Sequence, residues 1–340
     1  MKPYMNLHTR VYKLLQYFPH VSQWKEKKIK KCMKELFDVT VETEELQWII
    51  SDIYQVQKLI ELPKVPQRSD AWFNLRKNRL TASDLGQALG KGKFGNRETL
   101  ILKKAFPDKY PFVVSAPLKW GTMFEDMGMR CYSQNINDAK LYDFGLIPHG
   151  ELDCFGASPD GITETGIMVE MKCPYSRVCD DKVPEQYYYQ IQGQLATCEL
   201  HYCDYIECYF DTFTDLMEYK LLTKDLTTKN HGVILEYPQG NNGWDYLYSP
   251  EGMTVEECCQ WVKEQVGGYV KVTPWKLRKI FYQQVRFEPE LWKELVPKIV
   301  GFWEDVEKSR VTGFPEKVPS KTKEEPVVKY KYIADSDEEA

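Results

Sequence analysis

The 340-residue chain contains no Cys-x-x-Cys pair, no His-x-x-x-His pair and no Gly-x-x-x-x-Gly-Lys loop. Those absences argue against a centre built on paired thiols or imidazoles and against a nucleotide-driven motor. No apolar run approaches the roughly 20 residues needed to cross a bilayer, so no membrane association is expected. An excess of positive charge is also missing: 45 Lys and Arg face 50 Asp and Glu, a net charge of −5. That balance excludes a uniformly basic coat for nucleic acid and leaves room for a local basic cleft. Ten cysteines in 340 residues are sparse, and no charged, apolar, small-residue leader opens at Met1. The thiols are therefore expected to be reduced and the site of action intracellular, in the cytoplasm of a cell or viral host. Cys198, Cys203 and Cys208 recur every five residues, but they fall on a helical stretch and a strand-like one, so no cluster is expected. His149 reads as ordinary loop surface.

With 43% hydrophobic residues the chain can bury a full core. Residues 1–65 read as a helical extension, with Val11, Leu14, Leu15 and Phe18 at helical spacing and a lysine-rich face from Lys25 to Lys31. Pro63 and Pro66 then break the pattern and mark a boundary. From 66 to 310 helical and strand-like stretches alternate, which predicts an α/β (α+β) domain with a mixed central sheet flanked by helices. Thr81 or Ser83 can cap a helix, and Trp120–Asn135 reads as a helix carrying Glu125. Ile167–Cys173 alternates as a strand, Pro184 suits the first turn of a helix running to about Cys198, and Tyr205–Phe213 returns as a strand. Residues 230–244, rich in glycine and asparagine, read as a loop, and Pro289–Ser309 as a helix. Residues 311–340 read as a disordered acidic tail.

The chemistry sits in Ser158-Pro159-Asp160-Gly161, followed nine residues later by Glu170-Met171-Lys172. A turn holding an Asp, then a strand projecting Glu and Lys from one face, lets carboxylates share a divalent ion with an ammonium beside them. Such a site can activate water against a phosphodiester. Either half alone is common as a turn or a cross-strand charge pair. Their combination, with Glu125 upstream and Gln190 downstream, favours hydrolysis.

Here the sequence resembles the phage lambda-type exonucleases, also called YqaJ-like viral recombinases, within the PD-(D/E)xK nuclease superfamily. The blocks that carry the resemblance run in order over about 70–214. They are Ala71-Trp72-Phe73-Asn74-Leu75-Arg76, Leu80-Thr81-Ala82-Ser83, Trp120-Gly121-Thr122-Met123-Phe124-Glu125, Ala157-Ser158-Pro159-Asp160-Gly161, Glu170-Met171-Lys172-Cys173-Pro174 and Tyr187-Tyr188-Tyr189-Gln190-Ile191-Gln192. The resemblance implies a restriction-endonuclease-like core and one or two magnesium (or manganese) ions held by Asp160, Glu170, Glu125 and the main-chain carbonyl of Met171. It further implies that Lys172 positions the attacking water with support from Gln190. Arg76, Ser83 and Ser158 match a pocket for the terminal 5′-phosphate, with Arg79 a second candidate if it shares a helical face with Arg76. Tyr187, three residues before Gln190, is the tyrosine expected to face the site and to stack on bases. The pattern is broken at His149-Gly150-Glu151, where some phage enzymes carry an acidic residue at the position of Gly150.

Three readings follow. The first is a 5′ to 3′ exonuclease on double-stranded DNA ends, serving viral or phage recombination or replication, with a strand-annealing partner and a homo-oligomeric state implied. The second is a structure-specific or general endonuclease with the same chemistry. The third is a non-catalytic binder on a nuclease fold, disfavoured because a binder has no need of clustered carboxylates.

Overall fold

The computed structural model describes residues 6–17, 26–93, 95–110, 113–223, 230–239 and 243–315. Helix starts follow the capping residues. Ser69, Asn96 and Ser115 each accept a main-chain N–H three residues ahead, opening α4 (Asp70–Lys77), α6 (Arg97–Ala105) and α7 (Ala116–Asn135). Thr81 takes the cap position of α5 (Ala82–Ala88), but its hydroxyl donates to Asp84 instead of accepting from the backbone. The first three helices are α1 (Leu7–Tyr17), α2 (Glu26–Phe37) and α3 (Thr43–Ile60).

The strands form two sheets. A small one orders β1 (Leu80–Thr81), β4 (Phe155–Ala157) and β3 (Ile147–Pro148) as β1-β4-β3. The large one runs β2-β5-β6-β7-β10-β8-β9. Its members are β2 (Leu141–Tyr142), β5 (Gly161–Thr163), β6 (Met168–Lys172), β7 (Tyr202–Thr212), β8 (His231–Gln239), β9 (Gly243–Tyr248) and β10 (Lys271–Arg286). Within this sheet, among the described residues, only β6 and β7 pair in parallel, with Glu170 opposite Tyr205 and Lys172 opposite Glu207. A parallel step needs a crossover, and α8 (Glu185–Cys198) supplies it. Helices α7 and α8 therefore lie against the strand that carries Glu170 and Lys172. The expected mixed sheet flanked by helices is what the chain forms.

One reading needs correction. Residues 231–239 and 243–244, expected as part of a loop, are strands: β8 and β9 pair antiparallel from Ile234↔Tyr248 to Gln239↔Gly243, while residues 240–242 lie outside the described residues. Gly232, which suggested irregular backbone, lies within β8 because a Cβ there would come 2.7 Å from Ser249 Oγ and 3.3 Å from Trp275. Its glycine is a packing requirement. The turn Ser158–Gly161 links the two sheets. It carries the chain from β4 in the small sheet to β5 in the large one, and the β5–β6 turn lies at 164–167, with Gly166 at φ +90°.

The N-terminal helices are built into the core. Val56 and Leu59 of α3 pack with Ile191, Leu195 and Tyr205, while Val11, Leu14, Ile49 and Ile53 close over Tyr202. Asp52, fully buried, accepts from His201 N at 3.1 Å and pairs with His201 Nδ1 at 2.6 Å. At the other end, after α9 (Leu216–Leu222) and α10 (Val255–Glu264), α11 (Pro289–Thr312) packs Leu295, Ile299 and Phe302 against α5 and α6. The predicted tail lies, from residue 316 on, outside the described residues.

Candidate active site

Beneath the N-terminal half of α7 lies a cleft of about 660 Å³ whose walls include Glu125, Asp160, Met171, Lys172 and Tyr187. Four elements bring them together: α7, the β4–β5 turn, the end of β6 and the first turns of α8. Asp160 Oδ2 accepts the main-chain N–H of Met171 at 2.8 Å, which ties the turn to β6. Glu170 is fully buried behind the wall. Its Oε1 accepts from Gln190 at 2.7 Å and from the Lys172 ammonium, and its Oε2 accepts from Gln194 at 2.7 Å. Glu125 Oε2 is ion-paired with Arg68 at 2.6 Å.

The electrostatics follow from burial and crowding. Desolvation pushes the Asp160 carboxyl well above its ordinary range, Glu170 and Glu125 push it further, and Lys172 and the Met171 amide oppose them. Glu125 is raised by burial and partly restored by Arg68. Burial disfavours the Lys172 charge, yet Glu170 and Asp160 outweigh it and raise the ammonium above its usual value. Lys172 is thus a cation at neutral pH and not a proton acceptor.

Among the described residues no three His, Cys, Asp or Glu side chains are arranged to hold a metal by themselves. The hydrogen bonds explain why. Glu170, expected as a ligand, has both oxygens committed to three donors, whereas Asp160 and Glu125 each have one oxygen pinned and one that no hydrogen bond reaches among the described residues. Two half-open carboxylates in a cleft fit magnesium, which takes one or two carboxylates and completes its shell with water and phosphate oxygens.

Most of the residues expected to hold a phosphate lie together, with one exception. Arg76 stacks on the Trp72 ring, 4.2 Å from its centroid, and donates to Ser83 Oγ at 3.1 Å and Thr81 Oγ1 at 3.2 Å. Trp72 Nε1 donates to Ser158 Oγ at 3.0 Å, so this group adjoins the turn bearing Asp160. Asp84 and Lys104 complete the charge pattern, paired at 2.8 Å. Arg79 does not share a helical face with Arg76. Helix α4 ends at Lys77, and Arg79 folds back to donate to Leu75 O at 3.3 Å. Tyr187 faces the cleft with Lys172 Nζ 4.9 Å and Arg177 Cζ 5.6 Å from its ring centroid, while Tyr188 and Tyr189 pack into two core clusters. His149 stacks on Trp292 and lines a separate cavity.

Three residues escaped sequence reasoning. Gln194 was legible in principle, because it stands one helical turn beyond Gln190 and so shares its face. Arg177 lines the cleft and is held by Glu207, itself bound by the hydroxyls of Tyr205 and Tyr209. Its signal is the register that sets Glu207 opposite Lys172. Arg68 lies in the proline-containing segment that marks a boundary, and nothing local announces its partner.

Several known proteins are similar to this chain. The chain is 24% identical over 294 residues to uncharacterized protein R354 of Acanthamoeba polyphaga mimivirus, covering 72% of this chain and 53% of that protein. It is 27% identical over 164 residues to protein D345L of African swine fever virus (strain Badajoz 1971 Vero-adapted), covering 38% and 46%. The chain thus spans about half the length of the curated relatives it matches. Among solved structures, an alkaline exonuclease (LHK-Exo) from Laribacter hongkongensis superposes with a TM-score of 0.46 at 17% identity, over 71% of this chain and 93% of that one. A phage related exonuclease from Haemophilus somnus 129PT gives 0.41 at 10%, over 68% and 94%. The model of the YqaJ-like viral recombinase domain matches residues 71–201, the span that holds Arg76, Glu125, Asp160, Glu170, Lys172 and Gln190. Residues 71–201 are thus similar to a YqaJ-like viral recombinase domain.

Proposed function

We propose that the chain is a magnesium-dependent deoxyribonuclease, an exonuclease that degrades one strand from double-stranded ends in the 5′ to 3′ direction. The observation that carries this reading is the pair of half-open carboxylates, Asp160 and Glu125, sharing a cleft with the Lys172 ammonium. Asp160 and Glu125 would hold the ion, with Glu170 and the Met171 carbonyl the further donors implied by the family resemblance. When bound, the ion supplies Lewis acidity towards a phosphoryl oxygen and eases ionisation of water.

The chain's own residues do the rest. Glu170, locked by Gln190 and Gln194, fixes the Lys172 ammonium at the cleft wall, where its charge orients a nucleophile and offsets charge building on the phosphate. The Arg76 fork, stacked on Trp72 and flanked by the Ser83 and Ser158 hydroxyls, suits a terminal phosphate dianion. Tyr187, under two cations, offers a face for base stacking. Seating a 5′-phosphate beside the cleft would make end-directed digestion the natural mode. The single strand left behind would be the substrate of a strand-annealing partner, and a homo-oligomer would keep the enzyme on its track.

The test uses 5′-phosphorylated linear duplex and covalently closed circles, each with magnesium and with chelator. Degradation of linear DNA alone, abolished by chelator and weakened on 5′-hydroxyl ends, is expected. Nicking of circles would favour the endonuclease reading, and no digestion under any condition would favour the binder.

A further inference from the structure

We propose that Arg68 is a positioning residue for the metal-binding carboxylate of Glu125, and that the segment 67–69 braces the site from outside the matched domain. The proposal rests on the nuclease reading above and adds a residue that reading does not use. Three consecutive side chains each grip a different part of the site. Gln67 Nε2 donates to Phe144 O at 2.9 Å and to Pro159 O at 3.2 Å, which clamps the turn immediately before Asp160. Arg68 Nη2 holds Glu125 Oε2 at 2.6 Å. Ser69 Oγ accepts Trp72 N at 3.2 Å, starting the helix that carries Trp72 and Arg76.

The backbone shows that this placement is enforced. Arg68 has φ +65°, a left-handed conformation that costs a residue with a Cβ and persists where surrounding contacts demand it. Just upstream, a Cβ on Gly145 would lie 2.0 Å from Val65 O, so the linker is pressed on the core with no room to shift. An ordinary surface ion pair of half-exposed partners contributes little and leaves both ends mobile. Here one partner is fixed by its backbone. The other lines the cleft and keeps a second oxygen that no hydrogen bond reaches among the described residues, the arrangement by which an outer hydrogen bond orients a ligating carboxylate.

Two accounts of Arg68 predict opposite signs. If the guanidinium only adds positive charge near the site, removing it should tighten cation binding. If it aims Glu125, removing it should weaken binding. The experiment is calorimetric titration of the full chain with Mn²⁺ alone, without DNA, for wild type, Arg68→Gly and Arg68→Lys. Glycine also relieves the left-handed strain, so a melting temperature at or above wild type separates site effects from unfolding. Mn²⁺ affinity in Arg68→Gly is expected to fall about tenfold, the lower end of what outer-shell losses cause, with lysine recovering part of it. Unchanged or tighter binding in Arg68→Gly overturns the proposal. Magnesium-dependent digestion by the wild type judges the nuclease reading separately, so an active wild type with Mn²⁺ binding indifferent to Arg68 sinks this inference alone.

Discussion

At the scale of single residues the site is a problem of crowded negative charge. Asp160→Asn removes the carboxylate whose ionisation burial and two neighbours oppose. Cleavage should collapse by roughly 10³-fold, a loss of several kcal/mol of transition-state stabilisation, while the melting temperature holds or rises. A melting temperature that falls with activity would mean that Asp160 is structural. Gln194→Leu strips a donor from Glu170 where no water can replace it. Stability in urea unfolding should drop by about 1–3 kcal/mol; no change would make Gln194 a bystander. Asp84 sets the acid limit of the cluster around Arg76. Burial disfavours its charge, but Lys104 and Arg76 prevail and bring its pKa down to about 2. A depressed carboxylate stabilises the fold above its unfolded pKa of about 4, and that contribution is lost as pH falls towards 2. Asp84→Asn should therefore lower stability by roughly 2 kcal/mol at neutral pH and flatten its decline below pH 4, read from melting curves at stepped pH.

At the scale of elements, legibility tracks how local the determining physics is. The α7 and α8 helices and the β6 strand were readable because their periodicity and caps lie within a dozen residues. The β8–β9 hairpin was not, because Gly232 looks like a loop residue until Trp275 of β10 and Ser249 are brought against it. Arg79 was misplaced for a similar reason: spacing of three implies a shared face only if the helix continues, and it ends at Lys77. The linker between α3 and α4 is the sharpest case. Its prolines do stop a helix, yet the segment is a brace whose contacts reach to 57, 77 and 92 residues away. Gly145→Ala, forcing a Cβ onto Val65 O, should destabilise by more than about 3 kcal/mol or prevent folding. A soluble variant of wild-type stability would show that the linker can lift off the core.

At the scale of the whole molecule the N-terminal helices are a wall of the core. Removing residues 1–65 would expose Tyr202, uncover the cluster around Ile191 and Leu195, and strand His201 without Asp52. Residues 66–315 expressed alone should aggregate or bind hydrophobic dyes; a monomer that melts cooperatively would restore the view of a separable extension. The candidate site groups were legible because the proposed hydrolysis of a phosphodiester restricts which residue types can serve: Asp160, Glu170, Lys172, Glu125 and Gln190 could be named from type, order and spacing together with the family resemblance. Which carboxylate oxygens stay open, which are consumed by Gln190 and Gln194, and that Arg68 and Arg177 join the cleft were decided only by tertiary structure. Those relations depend on pairs far apart in the chain, whose approach is set by core packing and strand register and leaves no trace in local sequence.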